Sequence, residues 1–193
     1  MQIAFVTIPR FAVEAERQRR QDAAARLILV GERAVLDCSL GADASGVRRG
    51  MRMPEAIALC PKAVVLAPDR PHYERRFAEV LAFLDLQSPE VEHTQPGTAL
   101  LNLAGLELNA DNLIAMLHKR CGFMASVGIA EGKFVARIAA GEAPPGSAKT
   151  VLSATEAAFL APLPSSILPA SEEMLWKLKL MGFDTVGKIA KLP

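Results

Sequence analysis

The sequence predicts an α+β domain: a mostly antiparallel sheet with helices packed on one face, interrupted by a small inserted lobe. Three observations lead there. The chain opens on a short apolar run at 3–6, of the length and type of a buried central strand. Helical and strand-type segments then follow in the order strand, helix, strand, strand, helix, strand, helix, strand. At 193 residues and 51% hydrophobic, the chain can bury a sizeable core.

Each element follows from local chemistry. Pro9 ends ladder pairing after the first strand and suits the first turn of a helix. A charged helix is expected from 13 to 26, carrying Arg17, Arg19, Arg20 and Arg26 on a solvated face. Runs at 27–30 and 34–38 form a hairpin around Gly31-Glu-Arg33. Small residues at 39–45 begin a helix, 46–50 is a loop, 53–60 a short helix with Pro54 in its first turn, and 63–66 a strand. A helix is expected at 73–86, where Phe77, Leu81 and Leu84 repeat at helical spacing. Strands at 91–94 and 99–103 flank the turn Gln95-Pro-Gly-Thr98. Asp111 caps a helix to about Cys121, which Gly122 ends. A strand at 123–129, a small-residue helix at 134–140 and an edge strand at 150–152 complete the sheet. The tail reads as helix, Gly182 turn and helix, ending as another element should begin, so a fragment of a longer chain is expected.

Composition excludes several classes. Twenty-two basic against 21 acidic residues leave +1, too little for a strong field toward nucleic acid or membrane. No apolar run reaches the ~18 residues of a membrane span, and no signal-type segment opens the chain; a cytoplasmic location is expected. Cys38, Cys60 and Cys121 are scattered without a C-x-x-C pair, so buried thiols are the expectation rather than zinc or disulfides. His72, His93 and His118 lack ligand spacing, and Trp176 is expected to pack the tail helices.

Ordered landmarks carry a resemblance. They are Phe5-Val followed by Phe11 and Glu16, Gly46-Val-Arg-Arg-Gly-Met51 with Pro54-Glu-Ala56, Leu59-Cys-Pro61 with Val64-Val-Leu66, and Tyr73. Ser126-Val-Gly-Ile-Ala130 with Lys133-Phe-Val-Ala-Arg-Ile-Ala139, then Gly182-Phe-Asp-Thr-Val-Gly-Lys-Ile-Ala190, follow. In this order the chain resembles the palm, fingers and start of the thumb of a Y-family translesion DNA polymerase. The resemblance implies palm at 1–10 and 71–164, a fingers-like lobe at 11–70, and a partial helical thumb at 165–193 before a missing little finger.

The same resemblance exposes departures. The two metal-binding aspartates of the first catalytic motif fall on Thr7 and Pro9, and the second aromatic of that motif on Ala12. The acids of the second motif fall on Gly97 and Thr98. The triphosphate-gripping Tyr and Arg fall on Leu40 and Asp43, and the triphosphate Lys on Pro144. Two-metal phosphoryl transfer needs anionic oxygens between the attacking and leaving groups, and these side chains supply none. The expectation is therefore a chain outside enzymes, a pseudoenzyme without cofactor, similar to the ImuB-type branch of the family. That resemblance implies an adaptor in DNA damage tolerance and induced mutagenesis, nucleoid-associated in the cytoplasm. Its implied partners are DNA, the sliding clamp, a RecA-like mutasome partner and an error-prone C-family polymerase, mostly through regions beyond this chain, with no membrane.

Arg48 and Arg49 on the 46–50 loop are candidate DNA contacts, evenly matched with a solvated turn. Lys177 and Lys179 are weaker candidates, because the hairpin expected before them is absent. Three further readings stand beside the adaptor. One is an active polymerase using Mg²⁺ on atypical acids such as Asp37, Glu92 or Glu107. Another is an interaction module without DNA binding, and the last a ferredoxin-like metabolic domain.

Overall fold

The computed structural model describes residues 2–20, 28–106 and 108–192. Strand β1 (Ile3–Thr7) lies at the centre of a five-stranded sheet. It pairs antiparallel with β6 (Thr98–Asn102) on one side and β7 (Ser126–Ala130) on the other. Strand β5 (Val91–Gln95) forms one edge beside β6, and β8 (Ala148–Thr150) forms the other, parallel to β7. A second sheet places β2 (Ile28–Gly31) between β3 (Val35–Cys38), antiparallel, and β4 (Val64–Leu66), parallel.

Pleating divides β1 between two cores. Ala4 and Val6 face a large cluster with Phe77, Val80, Phe83 and Leu84 of α4 (Arg70–Leu84) and Leu113, Ile114 and Leu117 of α5 (Ala110–Cys121). Ile3 and Phe5 face the opposite way, toward Val135, Ala136 and Ala139 of α6 (Lys133–Glu142). The α+β class is as expected, but helices cover both faces of the sheet rather than one. The parallel β7–α6–β8 crossover demands this, since the linking helix must lie across one face. Gly128 permits the approach: a Cβ there would lie 2.0 Å from the Ala136 carbonyl oxygen and 2.3 Å from the Ala140 nitrogen.

Strand β2 ties the two sheets together. Ile28 and Val30 enter the large core, whereas Leu29 joins Val35, Cys38, Ala42, Val47, Met53, Ala56 and Cys60 in a smaller one. That smaller core is closed by α2 (Leu40–Ala44) and α3 (Met53–Leu59). Helix α1 (Phe11–Arg19) buries Phe11, Ala12, Val13 and Ala15 in the large core. It starts two residues earlier than the charge pattern suggests, because Pro9 frees the chain to turn immediately. The part of the expected helix at 21–26, with Arg26, lies outside the described residues, as does Glu107.

Two helix starts differ from the sequence reading. Helix α5 is capped by Asn109, whose side chain accepts from the Asn112 amide at 2.9 Å. Asp111 instead sits in the first turn, where its charge suits the helix dipole. Helix α4 starts at Arg70 because Asp69 accepts from the His72 amide at 3.1 Å and Pro71 fits the first turn. The tail folds as α7 (Glu156–Leu160), α8 (Glu172–Leu180) and α9 (Val186–Ile189), with Gly182 at φ +83° in the turn. Trp176 is 62% exposed and does not pack this tail, contrary to expectation. Helix α8 buries none of its residues fully. Among the described residues no helix is long and apolar enough to cross a membrane.

Candidate functional site

A cleft of about 610 Å³ opens where β1 ends. One wall is 7–11, the second is the β5–β6 turn at 95–98, and the third is the segment from Asp37 to Arg49. The turn is fixed by backbone: Ile8 N–H donates to the Gly97 carbonyl at 2.8 Å. Pro96 followed by Gly97 at φ +93° is the residue pair a type II turn demands.

The rim of the sheet carries hydroxyls. Thr7 lies directly opposite Thr98 on one neighbour and Ser126 on the other, so all three share one face. Thr98 donates to the Gln95 carbonyl at 3.2 Å, and buried Ser126 donates to the Pro144 carbonyl at 3.0 Å. Pro9 and Gly97 complete the rim without a side-chain donor. The sequence-singled residues Thr7, Pro9, Gly97 and Thr98 thus converge on one cleft, and Asp43 joins them. Leu40 is 69% exposed on α2, and Pro144 acts through its carbonyl rather than as a cleft wall.

Charge in the cleft is arranged as guanidinium–carboxylate pairs. Arg10 Nη2 lies 3.1 Å from Asp43 Oδ2, and Arg48 Nη1 donates to Asp43 Oδ1 at 3.0 Å and to the Asp43 carbonyl at 2.6 Å. Arg49 donates through Nε and Nη2 to Asp37 Oδ1, at 3.2 and 2.9 Å. Asp37 is buried and also accepts from the Cys38 and Val13 amides, joining β3 to α1. Sequence reasoning missed Arg10: it precedes a helix as an ordinary polar residue, and only its left-handed backbone at φ +55° brings it to Asp43. The weaker candidates lie elsewhere, on α8, with Lys177 bonded to Glu173 at 2.6 Å and Lys179 exposed.

Behind the cleft, Glu16 is fully buried. It accepts from Arg19 Nε and Nη2 at 2.9 and 2.8 Å, from Arg20 Nε at 3.2 Å and from the Tyr73 hydroxyl at 2.9 Å. Burial, reinforced by that carboxylate, pushes the Tyr73 phenol up to about 12. The hydrogen bond from Arg19 holds the Asp69 carboxyl below its usual range. The three cysteines are free and buried, and burial pushes the Cys38 and Cys121 thiols up, as suits inert core groups.

A family model described as "impB/mucB/samB family" matches residues 6–141. The chain belongs to this family. The Y-family resemblance drawn from the ordered landmarks therefore holds. A protein named DNA polymerase IV from Methanoculleus marisnigri is 31% identical over 98% of this chain and 57% of its own length. Another of that name, from Dehalococcoides mccartyi strain 195, is 30% identical over 99% of this chain and 52% of its own. The chain thus spans about half the length of these relatives. The fold matches DinB from Sulfolobus solfataricus over the whole chain, with a TM-score of 0.89 at 19% identity. An insertion ternary complex of Dbh DNA polymerase matches at 0.88 and 20%.

These names overturn two expectations. The neutral rim, read by itself, predicts a chain outside enzymes and without a cofactor. Relatives aligned over nearly the whole chain are instead named DNA polymerase IV, and polymerases as a class work through bound divalent cations. The neutral rim misled because it speaks only for the individual positions and not for the kind of protein. Those positions remain a poor fit to a hard cation in themselves: Thr7 and Thr98 offer neutral hydroxyls, and Asp37 and Asp43 are engaged by guanidinium groups. Among the described residues no three His, Cys, Asp or Glu side chains are grouped to hold a metal. Glu92, one of the alternative acids, pairs with Lys133 across the sheet rather than facing the cleft.

Proposed function

We propose that this chain serves DNA damage tolerance as a polymerase-type protein that seats a primer–template in the cleft at the end of β1. The observation that carries the reading is the cleft itself, where Arg10, Arg48 and Arg49 meet beside a backbone turn. Guanidinium forks suit phosphate oxygens, and the left-handed glycines at 46 and 50 let backbone approach a ligand closely. The family, and relatives named DNA polymerase IV, support a DNA substrate. Because the net charge is only +1, affinity rests on this local cluster.

Fluorescence anisotropy of a labelled primer–template tests the reading. Binding should weaken steeply as salt rises, as phosphate contacts require. Absence of binding at low salt would overturn it. Primer extension in Mg²⁺ or Mn²⁺ on the same duplex measures the enzyme for which the relatives are named.

A second reading is favoured by the row of neutral hydroxyls on the rim, Thr98, Thr7 and Ser126. On this reading the chain belongs with the ImuB-type branch and acts as an adaptor within a mutasome. It joins the sliding clamp, a RecA-like partner and an error-prone C-family polymerase. Co-elution of this protein with the clamp and the C-family polymerase supports it; failure to meet either removes it.

A further inference from the structure

We propose that Arg10 and Arg48 form a phosphate-binding pocket whose internal occupant is the Asp43 carboxylate, displaced when a phosphate group enters. The proposal rests on the cleft being the DNA-handling face and adds how that face is regulated.

Three observations converge. Arg10 holds a left-handed backbone, φ +55° and ψ +41°, which a non-glycine residue adopts only when its surroundings impose it. That conformation turns its side chain across the cleft to Asp43. Second, its hydrogen-bonding capacity is unspent. Nη2 makes an ion pair at 3.1 Å, no side-chain hydrogen bond is formed among the described residues, and Nε is buried without a partner. A guanidinium with five donors, of which one touches a carboxylate, is ready for an oxyanion with more lone pairs.

Third, Asp43 is shared. Its two oxygens bridge Arg10 from the palm side and Arg48 from the loop after α2, with the carboxylate itself 39% exposed. A carboxylate between two guanidinium groups at the mouth of a cleft occupies the position a phosphate would take. Arg48 would remain in place after exchange, because its Nη1 also donates to the Asp43 and Val47 carbonyls at 2.6 and 2.8 Å. Arg49 is held separately by Asp37. Among the described residues the cleft counts three guanidinium groups against two carboxylates, so an arriving phosphate meets an excess of positive charge even before Asp43 leaves.

Asp43→Asn tests this directly, since the amide keeps the shape and still accepts from Arg48 but no longer competes as an anion. Binding of inorganic tripolyphosphate and of a primer–template duplex is measured separately, with and without Mg²⁺. The variant should bind one or both about fivefold more tightly, the upper range for releasing an exposed ion pair. Adding Arg10→Gln should abolish that gain. A gain confined to tripolyphosphate assigns the pocket to a free nucleotide, and one confined to the duplex assigns it to backbone phosphate. Unchanged or weaker binding of both probes, or a gain that survives Arg10→Gln, overturns the proposal. Asp43→Ser provides a second variant of the same sign should Asp43→Asn fold poorly. Loss of duplex binding in the unaltered chain would remove the proposed function, while the tripolyphosphate arm would still report on Arg10 and Asp43.

Discussion

A Cβ added to Gly97 would lie 2.7 Å from the Cβ of Phe11, on backbone already at φ +93°. The β5–β6 turn and the start of α1 are thus packed backbone against side chain, leaving no room for an acid on that side of the cleft. Gly97→Asp should lower stability by about 2–3 kcal/mol, through backbone strain and overpacking. Thr7→Asp, at a half-buried rim position, should stay within about 1 kcal/mol. Urea unfolding of the two variants checks the contrast; equal effects would mean the turn is not fixed as described.

Gly128 should be the least replaceable residue of the sheet. Its missing Cβ accommodates the backbone of α6, which cannot swing aside as a flexible side chain would. Gly128→Val should cost about 3 kcal/mol or more. Gly132, with nothing within 4 Å of an added Cβ, should accept alanine at little cost. Thermal denaturation of both variants separates them.

Tyr73 is the chain's single tyrosine, so tyrosinate absorbance reports it alone. The folded midpoint should lie near 12, against 10.0 for an unperturbed phenol. Because the folded value is the higher one, the protonated phenol's contribution to stability is complete below about pH 10 and is lost as pH rises toward 12. Unfolding experiments should show stability falling across that window, and Tyr73→Phe should flatten the fall. A midpoint near 10 would place the hydroxyl in water instead of against Glu16.

Glu16 should matter more than an exposed carboxylate. Replacing it with alanine leaves the Tyr73 hydroxyl without its acceptor, frees Arg20 and leaves Arg19 only its bond to Asp69, at a cost of about 2–4 kcal/mol. Glu173→Ala, which breaks only an exposed pair with Lys177, should cost less than about 0.5 kcal/mol. Urea midpoints compare the two.

Much of this architecture was legible in the sequence because its signals are local. The 3.6-residue repeat of Phe77, Leu81 and Leu84, the Pro9 stop and the Gln95-Pro-Gly-Thr98 turn each act within a few residues. The second face of the sheet was not legible, because it depends on a crossover joining β7 to β8 and on Gly128 meeting a helix. Asp43 could be read as an anion in a cation's place, yet its neutralisation by Arg10 depends on a left-handed residue that no local pattern announces. Arg48 and Arg49 were found as candidates from their glycine-flanked loop, but their engagement by Asp43 and Asp37 is tertiary. Trp176 suggested a packed tail by residue type alone, and its exposure reflects what α8 meets in three dimensions.

Amide hydrogen exchange of the chain, alone and bound to a primer–template, addresses most directly whether the cleft seats DNA. Protection should rise at 7–12, 37–50 and 95–98, the three walls that meet at the end of β1. Protection confined to α8 and α9, with those walls exchanging as before, would show that DNA is held somewhere else.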